Sequence, residues 1–150
     1  NNTSPTSAVF TLNTTYNING GDYQFTAFAP SQFISIGNYE GNANANGTFV
    51  PALNINGVPL QPIWWLSKNI DAVSDWLIMD AARGGANPID GIVFANKTNI
   101  ENTSDMMDYV NGGTKIRNSG SVYLNSAATF LNMTIGIPII DVDGRIIAAR

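Results

Sequence analysis

Neither cysteine nor histidine occurs among the 150 residues. With no cysteine there is no disulfide framework and no thiolate site, and with no histidine the chain lacks the usual general base, the pH switch and the commonest metal ligand. Most familiar enzyme mechanisms are thereby disfavoured, so the expectation is a protein that is not an enzyme and uses no cofactor and no metal. Charge is scarce as well: Asp, Glu, Lys and Arg make up 12% of the chain, about half the share of an average soluble domain. The net charge is only −4 and the seven basic residues are scattered, which leaves no electrostatic footprint for nucleic acid or an anionic membrane. No apolar run approaches the roughly 18 residues of a membrane span, and nothing at the start has the pattern of a signal peptide. Residue 1 is Asn rather than Met; the reading expects a leader to have been removed and the mature chain to be extracellular, at the cell surface.

What is abundant is asparagine, at 20 of 150 positions. Asn-x-Ser/Thr acceptor triplets begin at Asn1, Asn2, Asn13, Asn46, Asn96, Asn102 and Asn132, none with Pro in the middle. Random placement at this composition would produce about three, so seven point to N-glycosylation. In strand-like runs a period of two sends neighbours to opposite faces. Asn13 falls opposite Phe10, Leu12 and Tyr16, and Asn132 opposite Leu131, Met133 and Ile135, so both are expected to point outward. Asn46, Asn96 and Asn102 sit in polar connections, where acceptor sites are expected. A surface of Asn, Ser, Thr and sugar keeps its solvation when carboxylates protonate. Little stability should therefore depend on carboxylate titration, and an acidic environment fits.

Short apolar or alternating runs bounded by Gly, Asn, Asp and Pro recur along the chain. This is the pattern of an all-β protein with minor helix, an antiparallel β-sandwich of jelly-roll or Ig-like type. Strands are predicted at 9–15, 23–29, 32–36, 49–55, 58–63, 92–94, 115–117, 121–124, 129–135, 139–142 and 145–149. Asn56-Gly57 and Asp143-Gly144 each join β-prone runs with the dipeptides that favour a two-residue turn. Two crossover helices are predicted. Over 68–83, Ile70, Val73, Leu77, Ile78 and Ala81 recur at helical spacing between Ser67 as N-cap and Gly84-Gly85 as stop. The second, over 105–110, is capped by Ser104 and ended by Asn111-Gly112-Gly113. The chain divides into an N-terminal arm, 1–16, and a globular β-sandwich domain, 17–150.

Residues 1–67 contain only Asp22 and Glu40, and the other sixteen charges lie beyond them. Neutral β-prone strands are hazardous at an exposed sheet edge, so either glycans guard those edges or pairing between chains is the purpose. Trp64-Trp65 reads as one ring in the core and one against a neighbouring element, with a sugar-stacking platform as the alternative. Asp141-Val142-Asp143-Gly144 lacks the full ligand spacing of a calcium loop and reads as a turn. Asp71, Asp75, Asp80 and Asp90 could include a carboxylate pair for glycoside hydrolysis, but a solvated face shared with Lys68 is the better reading. Arg83-Gly84-Gly85 follows a helix instead of opening one, and reads as a C-cap, not an anion loop.

Residues 1–7 form a polar tail. The run that follows, 8–16, has an apolar face built from Val9, Phe10, Leu12 and Tyr16, suited to filling a groove in a β-domain, its own or the next molecule's. Burying three of these side chains contributes about 6–9 kcal/mol before ordering costs. With an extended arm of this kind, a Cys-free β-domain, abundant sequons and scarce charge, the sequence resembles archaeal surface filaments built by donor-strand complementation, namely thread subunits and the related bundling pili. The resemblance implies a homopolymer in which each globular domain accepts the arm of its neighbour, with a role in adhesion, cell contact or biofilm. Its partners are then other copies of itself and covalent N-glycans. The alternatives are a secreted carbohydrate-binding or adhesin domain that presents a Trp64-Trp65 ring, and a virion coat protein.

Overall fold

The computed structural model describes residues 22, 26–84 and 87–146. Runs of alternating inward and outward side chains form eight strands: β1 (Ile34–Glu40), β2 (Phe49–Pro51), β3 (Leu60–Asn69), β4 (Leu77–Asp80), β5 (Ile89–Phe94), β6 (Asn102–Val110), β7 (Gly113–Ile116) and β8 (Thr129–Pro138). A single helical turn, α1 (Ala81–Gly84), lies between β4 and β5. All eight strands belong to one antiparallel sheet in the order β1-β8-β3-β4-β5-β6-β7-β2. Just after β2, the Ala52 N–H donates to the Gly112 carbonyl, the Leu60 N–H to the Ala52 carbonyl and the Gly112 N–H to the Leu60 carbonyl, at 2.9, 2.9 and 3.1 Å. These bonds stitch the β2 side of the sheet back to the start of β3, so the sheet is nearly closed into a barrel.

The expected sandwich is therefore corrected, for both its jelly-roll and its Ig-like forms: a sandwich needs two facing sheets, and here one sheet curls on itself. Short alternating strands are common to both architectures, and curl separates them. Register shifts between Pro62 and Trp64 on β3 and between Ile89 and Gly91 on β5 add the local twist of a bulge and help the sheet bend round.

Both predicted crossover helices are also corrected. Lys68 and Asn69 end β3, 77–80 is β4, and only α1 is helical. The Asn69 Oδ1 accepts the N–H groups of Asp71 and Ala72, each at 3.0 Å, so this side chain offers the backbone a turn in competition with a helix. Ile70 and Val73, counted toward an apolar helix face, stand 54% and 102% exposed, while Leu77 and Met79 alternate into the core at 0%. Asp80 caps α1, its Oδ1 accepting from the Ala82 and Arg83 N–H groups. Residues 105–110 belong to β6, where Met107 and Tyr109 point inward with a period of two. The sequence pattern 121–124 is no strand either. Of the predicted strand 23–29, the described part from 26 has no regular structure; the last two predicted strands contribute one bridge, Ile140 to Ile146.

Among the described residues, thirteen buried hydrophobic side chains form one cluster inside the barrel, including Trp65, Leu77, Met79, Met107, Ile116, Leu124 and Phe130. Tyr39 stacks on Phe130 with ring centroids 5.1 Å apart and meets Trp65 at 5.8 Å. The 118–128 segment plugs one end. Asn69 Nδ2, Ser67 Oγ and the Tyr39 hydroxyl donate to the consecutive carbonyls of Val122, Tyr123 and Leu124 at 3.1, 3.1 and 2.7 Å, which sets Leu124 into the core. Asn125, fully buried, accepts the Asn42 N–H and donates to the Asn42 side chain and the Asn44 carbonyl. Gly41 allows this close approach, because a Cβ there would overlap the Ser126 carbonyl.

Two hairpins stand at the opposite end and share one construction. In each, an Asx side chain accepts two N–H groups of its own loop: Asn54 from Asn56 and Val58, Asp141 from Asp143 and Arg145. A glycine at positive φ follows, Gly57 at 74° and Gly144 at 76°. Because Asn56 and Asp143 do not share the positive φ, these are three-residue loops with a left-handed glycine and not the two-residue turns that the dipeptides suggested.

Candidate functional site

The arm residues Val9, Phe10, Leu12 and Tyr16 and the acceptors Asn1, Asn2 and Asn13 lie outside the described residues. The other four acceptors differ in what the fold does with them. Asn46 and Asn102 are exposed, in the 41–48 loop and at the start of β6. Asn96 is exposed too, but its amide is engaged: Oδ1 accepts the Trp76 N–H and Nδ2 donates to Asp75, both at 3.0 Å. A glycan on that nitrogen would replace one of its two hydrogens and leave a single N–H to serve Asp75. Asn132 is only 3% exposed, which corrects the outward orientation expected from its parity. The residues that face inward on β8 are Phe130, Asn132 and Thr134; Leu131 and Ile135 are half-buried on the outer face. Parity misled because the outer face of this part of the sheet is apolar and the inner one carries the polar side chains.

The Trp64-Trp65 pair divides: Trp65 is fully buried, and Trp64 is half-buried opposite Asp80 and Ile135. Asp141 and Asp143 serve the hairpin described above. Three of the four aspartates considered for hydrolysis are spent on separate structural tasks, and Asp90 stands apart from them on β5. Asp71 accepts the Thr129 N–H at 2.7 Å, Asp75 pairs with Lys97 at 2.6 Å and Asp80 with Arg83 at 2.5 Å. The Thr129 backbone bond, seconded by its hydroxyl, holds the Asp71 carboxyl below the usual carboxylate range, and the bond from Lys97 does the same for Asp75. Burial pushes the phenols of Tyr39 and Tyr109 far up, so both stay protonated hydrogen-bond donors. Among the described residues, no three acidic side chains come together as a metal site and no helix is long and apolar enough to cross a membrane.

Two surface features remain that bear on recognition. One is the sheet edges. Among the described residues β1 has a strand neighbour on one side only, β8. It is seven residues long, without Pro or Lys, and its one charge is Glu40. By contrast β2 at the other edge is three residues, ends in Pro51 and leads into the seam with β3. The other feature is a surface cleft of about 640 Å³ formed by residues 68–76 and Leu131. Beside it a smaller depression of about 310 Å³, bounded by Phe28, Ile36, Leu66 and Met133, shares Trp76 and Leu131 with the cleft. Sequence reasoning missed Trp76 because the residues around it were assigned to a helix.

Comparison with curated proteins and with solved structures gives no match. Residues 1–136 match the model of a family described as a domain of unknown function, DUF7483, and the chain belongs to that family.

Proposed function

We propose that this chain is a structural subunit of an extracellular filament, polymerising by strand addition: residues 8–16 of one copy lie along β1 of the next. The observation that carries the reading is the contrast between the sheet edges. An edge strand offers a row of free N–H and C=O groups, and proteins that avoid pairing blunt it with shortness, Pro or Lys. The β2 edge is blunted in this way and the β1 edge is not. Beside β1 the outer face is apolar, with Ile36, Leu66, Leu131 and Met133. An added strand gains main-chain hydrogen bonds from β1, and its alternate side chains, Phe10, Leu12 and Tyr16, supply the apolar complement. Head-to-tail contacts of this kind do not close and give a fibre. Adhesion, cell contact or biofilm are the roles that suit it, with glycans at the exposed Asn46 and Asn102.

A virion coat is the second reading, favoured by the curled antiparallel barrel, since the same strand addition builds a shell where the contacts close. Removing residues 1–16 tests both. The truncated chain should sediment as a monomer while the full chain assembles, and electron microscopy of the full-length assembly distinguishes fibre from shell. Polymers formed by the truncated chain would refute strand addition.

A further inference from the structure

We infer that the Trp76 cleft is a binding site for a neutral oligosaccharide. The cleft lies outside the barrel, where the loop between β3 and β4 passes over Leu131. Its walls combine two chemistries. Trp76, Leu131 and the exposed Ile70 supply apolar surface, while Lys68, Asp71 and Ser74 supply polar heads. A pyranose ring has the matching form, with one face of C–H groups that stacks on an aromatic ring and a rim of hydroxyls that both donate and accept.

The loop is already fixed in place. Asn69 Oδ1 holds the Asp71 and Ala72 amides, and Asp71 is tied to Thr129. At the far side of the loop, Asn96 accepts the Trp76 N–H, and the Ala95 N–H donates to the Trp76 carbonyl. Little conformational freedom is left to lose on binding, which favours affinity for a weakly interacting ligand such as a sugar. The same bonds argue against a peptide strand as occupant. The amides of Asp71, Ala72 and Trp76 are taken, and so is the Asn69 carbonyl, which accepts from Lys68 at 2.8 Å. This leaves no continuous backbone ladder to extend.

Charge points to a neutral ligand. Lys68 and Asp71 bring one charge of each sign to the cleft, so its lining has no net charge to select an anion or a cation, and the Lys68 ammonium is held at the wall by the Asn69 carbonyl and the Ser74 hydroxyl. The adjoining depression that shares Trp76 and Leu131 extends the surface beyond one ring and favours a chain of sugars. With Asp71 and Asp75 both engaged by partners of their own, the site is arranged to bind without hydrolysis.

The test uses the full chain on an array of neutral hexose oligosaccharides, including maltohexaose, cellohexaose and mannohexaose, printed beside sialylated and sulfated glycans, followed by titration calorimetry on the best binder. Trp76→Leu keeps an apolar side chain on the loop and should weaken binding by about tenfold or more, whereas Trp76→Phe retains a ring and should keep most of it. Circular dichroism checks that both variants fold. Absence of binding across the array, binding confined to sialylated or sulfated glycans, or equal affinity of the wild type and Trp76→Leu would each overturn the assignment.

Discussion

The segment that plugs one end of the barrel is held by side chains from distant parts of the chain, whereas the hairpins at the other end are shaped mainly by bonds within their own loops. At the plugged end Asn125 spans 83 positions to Asn42, and Asn69 and Ser67 reach 53 and 56 positions to Val122 and Tyr123. At the hairpin end Asp141 reaches only two and four residues along its own loop, and Asn54 Oδ1 does the same while its Nδ2 donates to the Gln32 carbonyl, 22 positions away. Asn and Asp side chains therefore do two jobs in one molecule. At the plug they join separate parts of the chain inside the protein, where water cannot take over a lost partner; at the hairpins they chiefly shape a local turn.

The largest effect that would break this comparison is Asn125→Leu. The substitution keeps the volume but removes every bond the buried amide makes, leaving the groups at Asn42 and Asn44 short of partners. Urea denaturation should register a loss of about 3–4 kcal/mol. Asn54→Ala and Asp141→Ala should each cost about 1 kcal/mol in the same measurement. If the hairpin variants prove as damaging as Asn125→Leu, the distinction between long-range and local asparagines fails.

Acid sharpens the comparison further, because Asp71 and Asp75 both border the plugged end. Their carboxyls are held below the ordinary range in the folded state. A depressed folded pKa contributes stability that is fully present above the unfolded value and is lost as pH falls through the folded one. The stability of the protein should accordingly be flat from neutral pH down to about 4 and decline below it. The double variant Asp71→Asn, Asp75→Asn should flatten that decline in thermal melts. Asp71 is exposed and Asp75 is half-buried at the surface, so solvent screens both and the effect is small. The smallest expected change is a gain. Ala43 sits at φ 51°, a left-handed conformation that strains a residue with a Cβ, and Ala43→Gly should raise stability by about 0.5–1 kcal/mol.

Local features were legible in the sequence and global ones were not. Asn56-Gly57 and Asp143-Gly144 marked chain reversals because the need for a left-handed residue is written in the dipeptide itself. The runs that became parts of β1, β2, β3, β5, β7 and β8 were legible as β-prone. Whether those strands make two layers or one curled sheet depends on bulges and on the seam at Ala52, Leu60 and Gly112, which leave no periodic trace. The 68–83 segment failed for a different reason: Ile70, Val73 and Leu77 happen to fall at helical spacing, yet two of the three face solvent. The informative residue there was Asn69, whose side chain starts a turn. Once that segment was assigned to a helix, Trp76 could not be seen as part of a cleft. Asn132 failed as a surface acceptor because its parity was judged against an apolar face that turned out to lie outside.

The place of β8 has a consequence for how the chain acquires its structure during synthesis. This strand pairs with β1 on one side and with β3 on the other, so the two earliest long strands of the sheet have no shared partner until residue 138 has been made. Pairings that span so many residues carry a high loop-closure cost and form late. Until then β1 and β3 each present an open ladder, and a nascent chain emerging beside another copy meets two vacant strand positions in place of one. Completion of the sheet therefore waits on the last third of the chain, and both ladders stay open until β8 fills the place between them.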